Sequence, residues 1–176
     1  MQGAVQASNG YNGTAYVETG SGCSAKMTQS SFEIVAARLV GKRLEHLWKG
    51  YGSHLFLEFG TLTPGAARKD GSPKNPLGEI GVTLGARWRI CGRQSVLCGS
   101  DNDEADWERG FSAIRKQTVM TVSVLGQLPE IQITFENGAS CTSFTAMCGQ
   151  PDWAVFDRTF DPHVTVHCHH GRENEE

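Results

Sequence analysis

The sequence lacks most of the signatures that would point straight to a chemistry. No Cys-x-x-Cys pair occurs, which removes the commonest zinc and redox motifs. There is no Walker phosphate loop, no Gly-x-Ser-x-Gly nucleophile elbow and no His-Glu-x-x-His zinc helix. No apolar run approaches the ~18–20 residues of a membrane span. Positive charge is not in excess: 16 Lys and Arg stand against 19 Asp and Glu, a net charge of −3. That balance, with only three tyrosines, speaks against nucleic-acid binding, whose footprint is a basic surface. The first basic residue is Lys26, and no apolar core of the kind an export signal needs precedes it, so a cytoplasmic location is the expectation.

What is present suits one domain. The chain has 176 residues, 39% of them hydrophobic, enough for a packed core. Its 21 glycines favour many turns and therefore many strands. Residues 1–29 are polar and Gly-rich, and Thr14–Glu18 could form a short strand there. Residues 30–160 carry the patterned sequence, and residues 161–176 read as a strand end with a polar tail. The six cysteines (Cys23, Cys91, Cys98, Cys141, Cys148 and Cys168) are dispersed and read as reduced thiols that pack like small hydrophobes.

Ser30–Val40 reads as an amphipathic helix, with Ser30 and Glu33 at capping-box spacing and Gly41 as its stop. Leu44–Trp48 and Leu55–Phe59 follow as a hairpin around Gly50–Ser53, with Leu55, Leu57 and Phe59 on one face. The plan then returns. Asp101 and Glu104 repeat the capping spacing, and Trp107, Phe111 and Ile114 mark one face of a helix over about Asp103–Lys116. Val119–Leu125 and Ile131–Phe135 form the next strands, and Asn137-Gly138 turns into a strand over Ala139–Phe144. An offset of 75 lays Phe32, Leu39, Leu44 and Leu47 on Trp107, Ile114, Val119 and Val122. An offset of 76 lays Leu55, Leu57 and Phe59 on Ile131, Ile133 and Phe135. Each block ends in a Trp-bearing run, Trp88–Ile90 then Ser95–Cys98, and Trp153–Phe156 then His163–Val166. Thr63–Leu77, rich in Pro, Gly and Lys, reads as a long exposed loop. The expected fold is α+β: two helix-plus-antiparallel-strand units, about 30–100 and 101–160, each with its own sheet, in pseudo-twofold duplication and packed as one domain.

The segments LVGKRLEHLWKGYGSHLFLEFG, ARWRI, SVLCGSDND, LPEIQITFENG and PDWAVFD resemble a group of uncharacterised bacterial proteins that share a "GKxL…LxLxFxxG…WxxxD" layout. The likeness covers about Ile34 to Asp157. Its markers are strand positions, hairpin glycines and tryptophans, and it implies no activity, cofactor or catalytic residue. Some small α+β proteins of similar layout are immunity proteins encoded beside bacterial toxins. By analogy of layout, that implies a binding role.

Two local compositions are candidates for chemistry. Asp101, Asp103, Glu104 and Asp106 begin the second helix and could form an acidic docking face for a basic protein partner. As a calcium loop this run fails, with Asp106 where Gly is needed and Ser112 where Glu is needed. His163, His167 and His169 fall on one face of a terminal strand, where histidines two apart can share a metal, but no carboxylate stands by to orient them. No native metal and no cofactor is expected. Gly20–Ala25 mimics a dinucleotide fingerprint without its βαβ context. Trp48, Trp88, Trp107 and Trp153 read as core residues. The expected function is non-catalytic protein–protein binding of an immunity-like kind, with no nucleic acid and no membrane. Two alternatives stay open: a small-molecule binder or enzyme using a pocket between the units, and an oligomeric structural or regulatory protein.

Overall fold

Period-two alternation and frequent turns make this chain mostly strand. The structure, a computed structural model, describes residues 15–19, 23–27, 29–85, 87–126, 130–145, 153–161 and 163–168. Among these are two helices, α1 (Gln29–Leu39) and α2 (Glu104–Ile114). The strands before α2 are β1 (Ala15–Thr19), β2 (Cys23–Met27), β3 (Leu44–Lys49), β4 (Leu55–Phe59), β5 (Ile80–Leu84), β6 (Trp88–Cys91) and β7 (Val96–Gly99). After α2 come β8 (Val119–Leu125), β9 (Glu130–Phe135), β10 (Ser140–Ser143), β11 (Trp153–Asp157) and β12 (Val164–Cys168). The fold is α+β with strand predominant. Among the described residues no helix is long and apolar enough to cross a membrane.

The strands form two antiparallel sheets, ordered β2-β1-β12-β11-β5-β4-β3 and β7-β6-β10-β9-β8. The expectation that each block closes its own sheet is corrected here. After the β3-β4-β5 meander the chain crosses to the other sheet for β6 and β7. After β8-β9-β10 it crosses back for β11 and β12. Each meander is completed by the Trp-bearing pair of the other block, β5 against β11 and β10 against β6. Neither block could bury its own sheet edge alone.

Corresponding features recur across the two blocks. α1 and α2 stand 75 residues apart at both ends. The chain leaves each helix through a left-handed residue, Gly41 (φ 81°) and Lys116 (φ 64°). There the blocks exchange backbone bonds. Gly41 N–H donates to Val119 O at 2.8 Å, and Lys116 N–H donates to Leu44 O at 2.9 Å. Leu44 N–H reaches Gln117 O and Val119 N–H reaches Lys42 O, both at 2.9 Å, around an Arg43–Thr118 bridge. The β3–β4 register shifts between Leu44 and His46, and the β8–β9 register shifts between Val119 and Thr121.

One buried cluster holds these layers together. It takes Val35 and Leu39 from α1, Trp107, Phe111 and Ile114 from α2, and the inward-facing side chains of both sheets. Leu55, Leu57, Phe59, Ile131, Ile133 and Phe135 are all buried, as their alternation requires. Each such side chain stabilises the fold by roughly 1.5–3 kcal/mol relative to exposure. Trp153 meets Phe32 of α1 edge-on at 5.6 Å, and Trp88 meets Trp107 of α2 edge-on at 5.4 Å.

Two local readings change. α1 begins at Gln29, so Ser30 lies inside the helix rather than at its cap. α2 begins at Glu104 behind an extended Asp103 that makes no side-chain cap bond. The Asp101 carboxylate is turned away to Arg87. Thr63–Leu77 is mostly exposed and lies outside any strand or helix, as expected, and is drawn into a ribbon by the isolated bridges Thr63–Leu77 and Ala67–Pro73.

Candidate functional site

The acidic residues at the start of α2 are all exposed, but most of their charge is spent within the molecule. Asp101 pairs with Arg87, Glu104 with Lys49, and Glu108 with Arg115 at 2.8 Å. Hydrogen bonds from Arg115 and Ser112 hold the Glu108 carboxyl below its ordinary range. Asp103 and Asp106 remain without an ion-pair partner among the described residues. The helix macrodipole accounts for their position, since carboxylates are favoured in a first turn.

The histidines do not assemble into a site. His163 is exposed and precedes β12, His167 is buried within it, and His169 lies outside the described residues. Among the described residues no group of three or more His, Cys, Asp or Glu side chains is placed to hold a metal. Cys148 and the turn at 127–129 also lie outside the described residues, as do residues 1–14. Cys91, Cys98 and Cys141 are free thiols. Burial pushes the Cys98 thiol up to about 11 and raises that of Cys141 further, so neither is an activated nucleophile.

The buried carboxylates are structural. Asp157 accepts from Arg38 Nε at 2.6 Å, from the Thr159 amide at 3.0 Å and from the Thr159 hydroxyl at 2.6 Å. Burial alone would raise its pKa, but the Thr159 and Arg38 hydrogen bonds outweigh that and hold it below the ordinary carboxylate value. Trp153 and Asp157, the two ends of the WxxxD string, both grip α1, through Phe32 and Arg38. Glu58, 3% exposed, accepts from Arg158 Nη1 and from the Gly78 amide, each at 2.7 Å. Arg158 in turn donates to Gly78 O at 2.8 Å.

The informative surface is one that sequence reasoning missed. On β3 and β4 the inward Leu44, Leu47, Leu55 and Leu57 alternate with His46, Trp48, Phe56 and Glu58 on the opposite, outer face. Strand register extends that face across the seven-stranded sheet. One row runs Trp48, Phe56, Thr83, Ala154, His167, and the next runs His46, Glu58, Gly81, Phe156, Thr165. Trp48 and Phe56 stack at 4.9 Å with a 5° interplanar angle, and His46 stacks on Trp48 at 5.3 Å. All three are half-buried. Trp88, Trp107 and Trp153 are core residues, but Trp48 is not.

The outer face of the five-stranded sheet differs at its β8–β9 hairpin. Its corresponding rows run Ser123, Gln132, Thr142, Arg89, Gly99 and Thr121, Thr134, Ser140, Cys91, Val96, the last of these exposed on the edge strand. Serine and glutamine stand in register where Trp48 and Phe56 stand in the other sheet. Comparison with protein-family models, curated proteins and solved structures finds no match to this chain.

Proposed function

We propose that the chain is a non-catalytic protein-binding module, built from two pseudo-twofold units that exchange strands, and that the outer face of the seven-stranded sheet is its contact surface. The single observation that carries this reading is the contrast between the outer faces of the β3–β4 and β8–β9 hairpins. Both sheets need apolar residues inside, and both have them. At the matching pairs of the β8–β9 hairpin the five-stranded sheet carries only Ser, Thr and Gln outside, and its outer apolar residues include Val96 on the edge strand β7 and Phe144 beyond the end of β10. The seven-stranded sheet instead presents Trp48, Phe56 and Phe156, residue types enriched at protein interfaces and among their hot spots. Equal helix lengths, the same hairpin shift and reciprocal bonds around Arg43–Thr118 support reading the exchange as a duplication.

The acidic run contributes less than its composition suggests. With Asp101 and Glu104 committed to Arg87 and Lys49, only Asp103 and Asp106 could steer a basic partner, and they would act as rim charges. An immunity-like inhibitor would be one instance of this module.

The other sheet supplies the test. Trp48→Ser with Phe56→Gln installs residues already accommodated at the corresponding register positions. The variant should keep its far-UV spectrum and cooperative unfolding but lose partner capture from the source cytoplasm. Equal capture by both proteins would refute the surface. A turnover abolished by one pocket residue would refute the non-catalytic reading.

A further inference from the structure

We infer that the ribbon of residues 61–79 is the basic half of this contact surface and that the partner segment it receives is acidic. The inference rests on the protein-binding reading above and names the partner's chemistry.

The ribbon is built and anchored. Thr63 and Leu77 exchange backbone bonds at 2.7 and 2.9 Å. Arg68 N–H donates to Ser72 O at 2.8 Å across a turn in which Gly71 has φ 81°. Its root is fixed to the sheet. Glu58 and Arg158 clamp Gly78 from both its N–H and its carbonyl, and Lys42 pairs with Glu79. Its side adjoins the aromatic row, because Asn75 Oδ1 meets His46 Nε2 at 3.1 Å and His46 stacks on Trp48. Ribbon and aromatic row are therefore one continuous surface. An anchored root also lowers the ordering cost of binding.

Its charge is net positive, with Arg68, Lys69 and Lys74 against Asp70 and a Glu79 that pairs with Lys42. Arg68, Lys69 and Lys74 are exposed, and none has a carboxylate partner among the described residues. Elsewhere Arg38, Lys42, Arg43, Lys49, Arg87, Arg115, Lys116 and Arg158 are each ion-paired, whereas Arg89, Arg93 and Arg109 also lack a carboxylate among the described residues, Arg89 lying over the Phe144 ring and Arg93 donating to Asn137 O at 3.2 Å. The one carboxylate at the tip, Asp70, is exposed and accepts from the Ser72 amide and hydroxyl at 2.9 and 2.7 Å, so it offsets part of that charge. In a chain of net charge −3, three unpaired cations beside an aromatic row favour an acidic partner. Protein is favoured over single-stranded nucleic acid because bases stack on free ring faces, and Trp48 has Phe56 on one side and His46 in contact.

The test immobilises the full chain and selects from a display library of random linear peptides. One enriched peptide is then synthesised as the probe. The expected outcome is a set of acidic sequences with apolar residues. The probe's affinity should fall at least tenfold with Arg68→Glu, Lys69→Glu and Lys74→Glu combined, and likewise as salt rises from about 0.1 to 1 M, where the screening length shrinks from about 10 to 3 Å. Basic or neutral peptides, or indifference to both perturbations, would overturn the inference while leaving a protein-binding face intact if Trp48→Ser abolishes their binding. Enrichment no better than on a blank surface would count against both readings. Tighter binding of oligo-dT than of the probe would assign the ribbon to nucleic acid. A dimer that the ribbon variant dissolves would assign it to a second copy. Either result overturns the acidic partner.

Discussion

Replacing Gly110 with Ala gives the packing of α2 a test with a definite sign. An exposed helix glycine exchanged for alanine gains about 1 kcal/mol in helix propensity. Gly110 is buried, and a Cβ there collides with Cys98 Sγ and lies 3.3 Å from Ile90 Cβ and 3.4 Å from Ile90 Cδ1. Cys98 and Ile90 face each other across β6 and β7 and are 1% and 0% exposed, so neither has free space to move into. Overpacking a filled core costs about 1–3 kcal/mol. A direct collision belongs near the upper end, so Gly110→Ala should destabilise by about 1–2 kcal/mol after the propensity gain. Cys98→Ala alone should cost about 1 kcal/mol for the deleted buried sulfur. In the double variant the new methyl enters the space the sulfur leaves, and the propensity gain is recovered. The double variant should therefore be at least as stable as Cys98→Ala, a coupling of about 2 kcal/mol. Urea unfolding followed by tryptophan fluorescence reads this directly, since Trp88 and Trp107 pack at the same interface. A Gly110→Ala protein more stable than wild type would refute the close approach of α2 to β7. So would additive effects in the double variant.

Two further outcomes follow from backbone and charge. Lys116 holds φ 64° where Gly41 holds φ 81° in the other block, so Lys116→Gly should raise the urea midpoint by relieving about 1 kcal/mol of strain. The loss of its exposed pairing with Glu45 would offset little of that. Asp157 has a folded pKa held below the ordinary value of 3.8, so its contribution is present above that value and is lost as pH falls through the folded pKa. Acid titration of stability should therefore be shallower below about pH 4 in Asp157→Asn than in wild type, and an unchanged slope would remove Asp157 from the account.

The strands and helices were legible wherever a single face decides the pattern. Leu55, Leu57 and Phe59 alternate because one side of β4 is buried, and Trp107, Phe111 and Ile114 recur because one side of α2 is. β5 was not legible. Gly81 interrupts its apolar run, and the reason is tertiary: a Cβ at Gly81 would lie 2.6 Å from Arg158 Nη2, so the glycine makes room for a guanidinium from after β11. The exchange of strands between sheets was equally hidden. Periodicity states which face of a strand is buried and says nothing of which strand lies beside it. Trp88 and Trp153 each look like the end of their own block, and only the β5–β11 and β6–β10 registers reveal the crossing.

The candidate surface left a trace that was read the wrong way. β3 and β4 carry large apolar residues on both faces, Leu47 beside Trp48 and Leu55 beside Phe56, and doubly apolar strands invite the conclusion that both faces are core. The β8–β9 hairpin argues otherwise. At the same register it has Val122 beside Ser123 and Ile131 beside Gln132, so the architecture demands an apolar residue only on the inner side. Aligned position by position, the outer aromatic residues of β3 and β4 have no counterpart in β8 and β9. The acidic run misled for the opposite reason. Sequence shows five carboxylates between Asp101 and Glu108, but it does not show Arg87, Lys49 and Arg115 arriving from other positions to pair with three of them. Charge density along a chain overstates charge available at a surface whenever folding supplies the counterions. That is why the proposed contact surface is placed at the three cations of the ribbon, for which folding supplies no carboxylate among the described residues, and not at the longer acidic run.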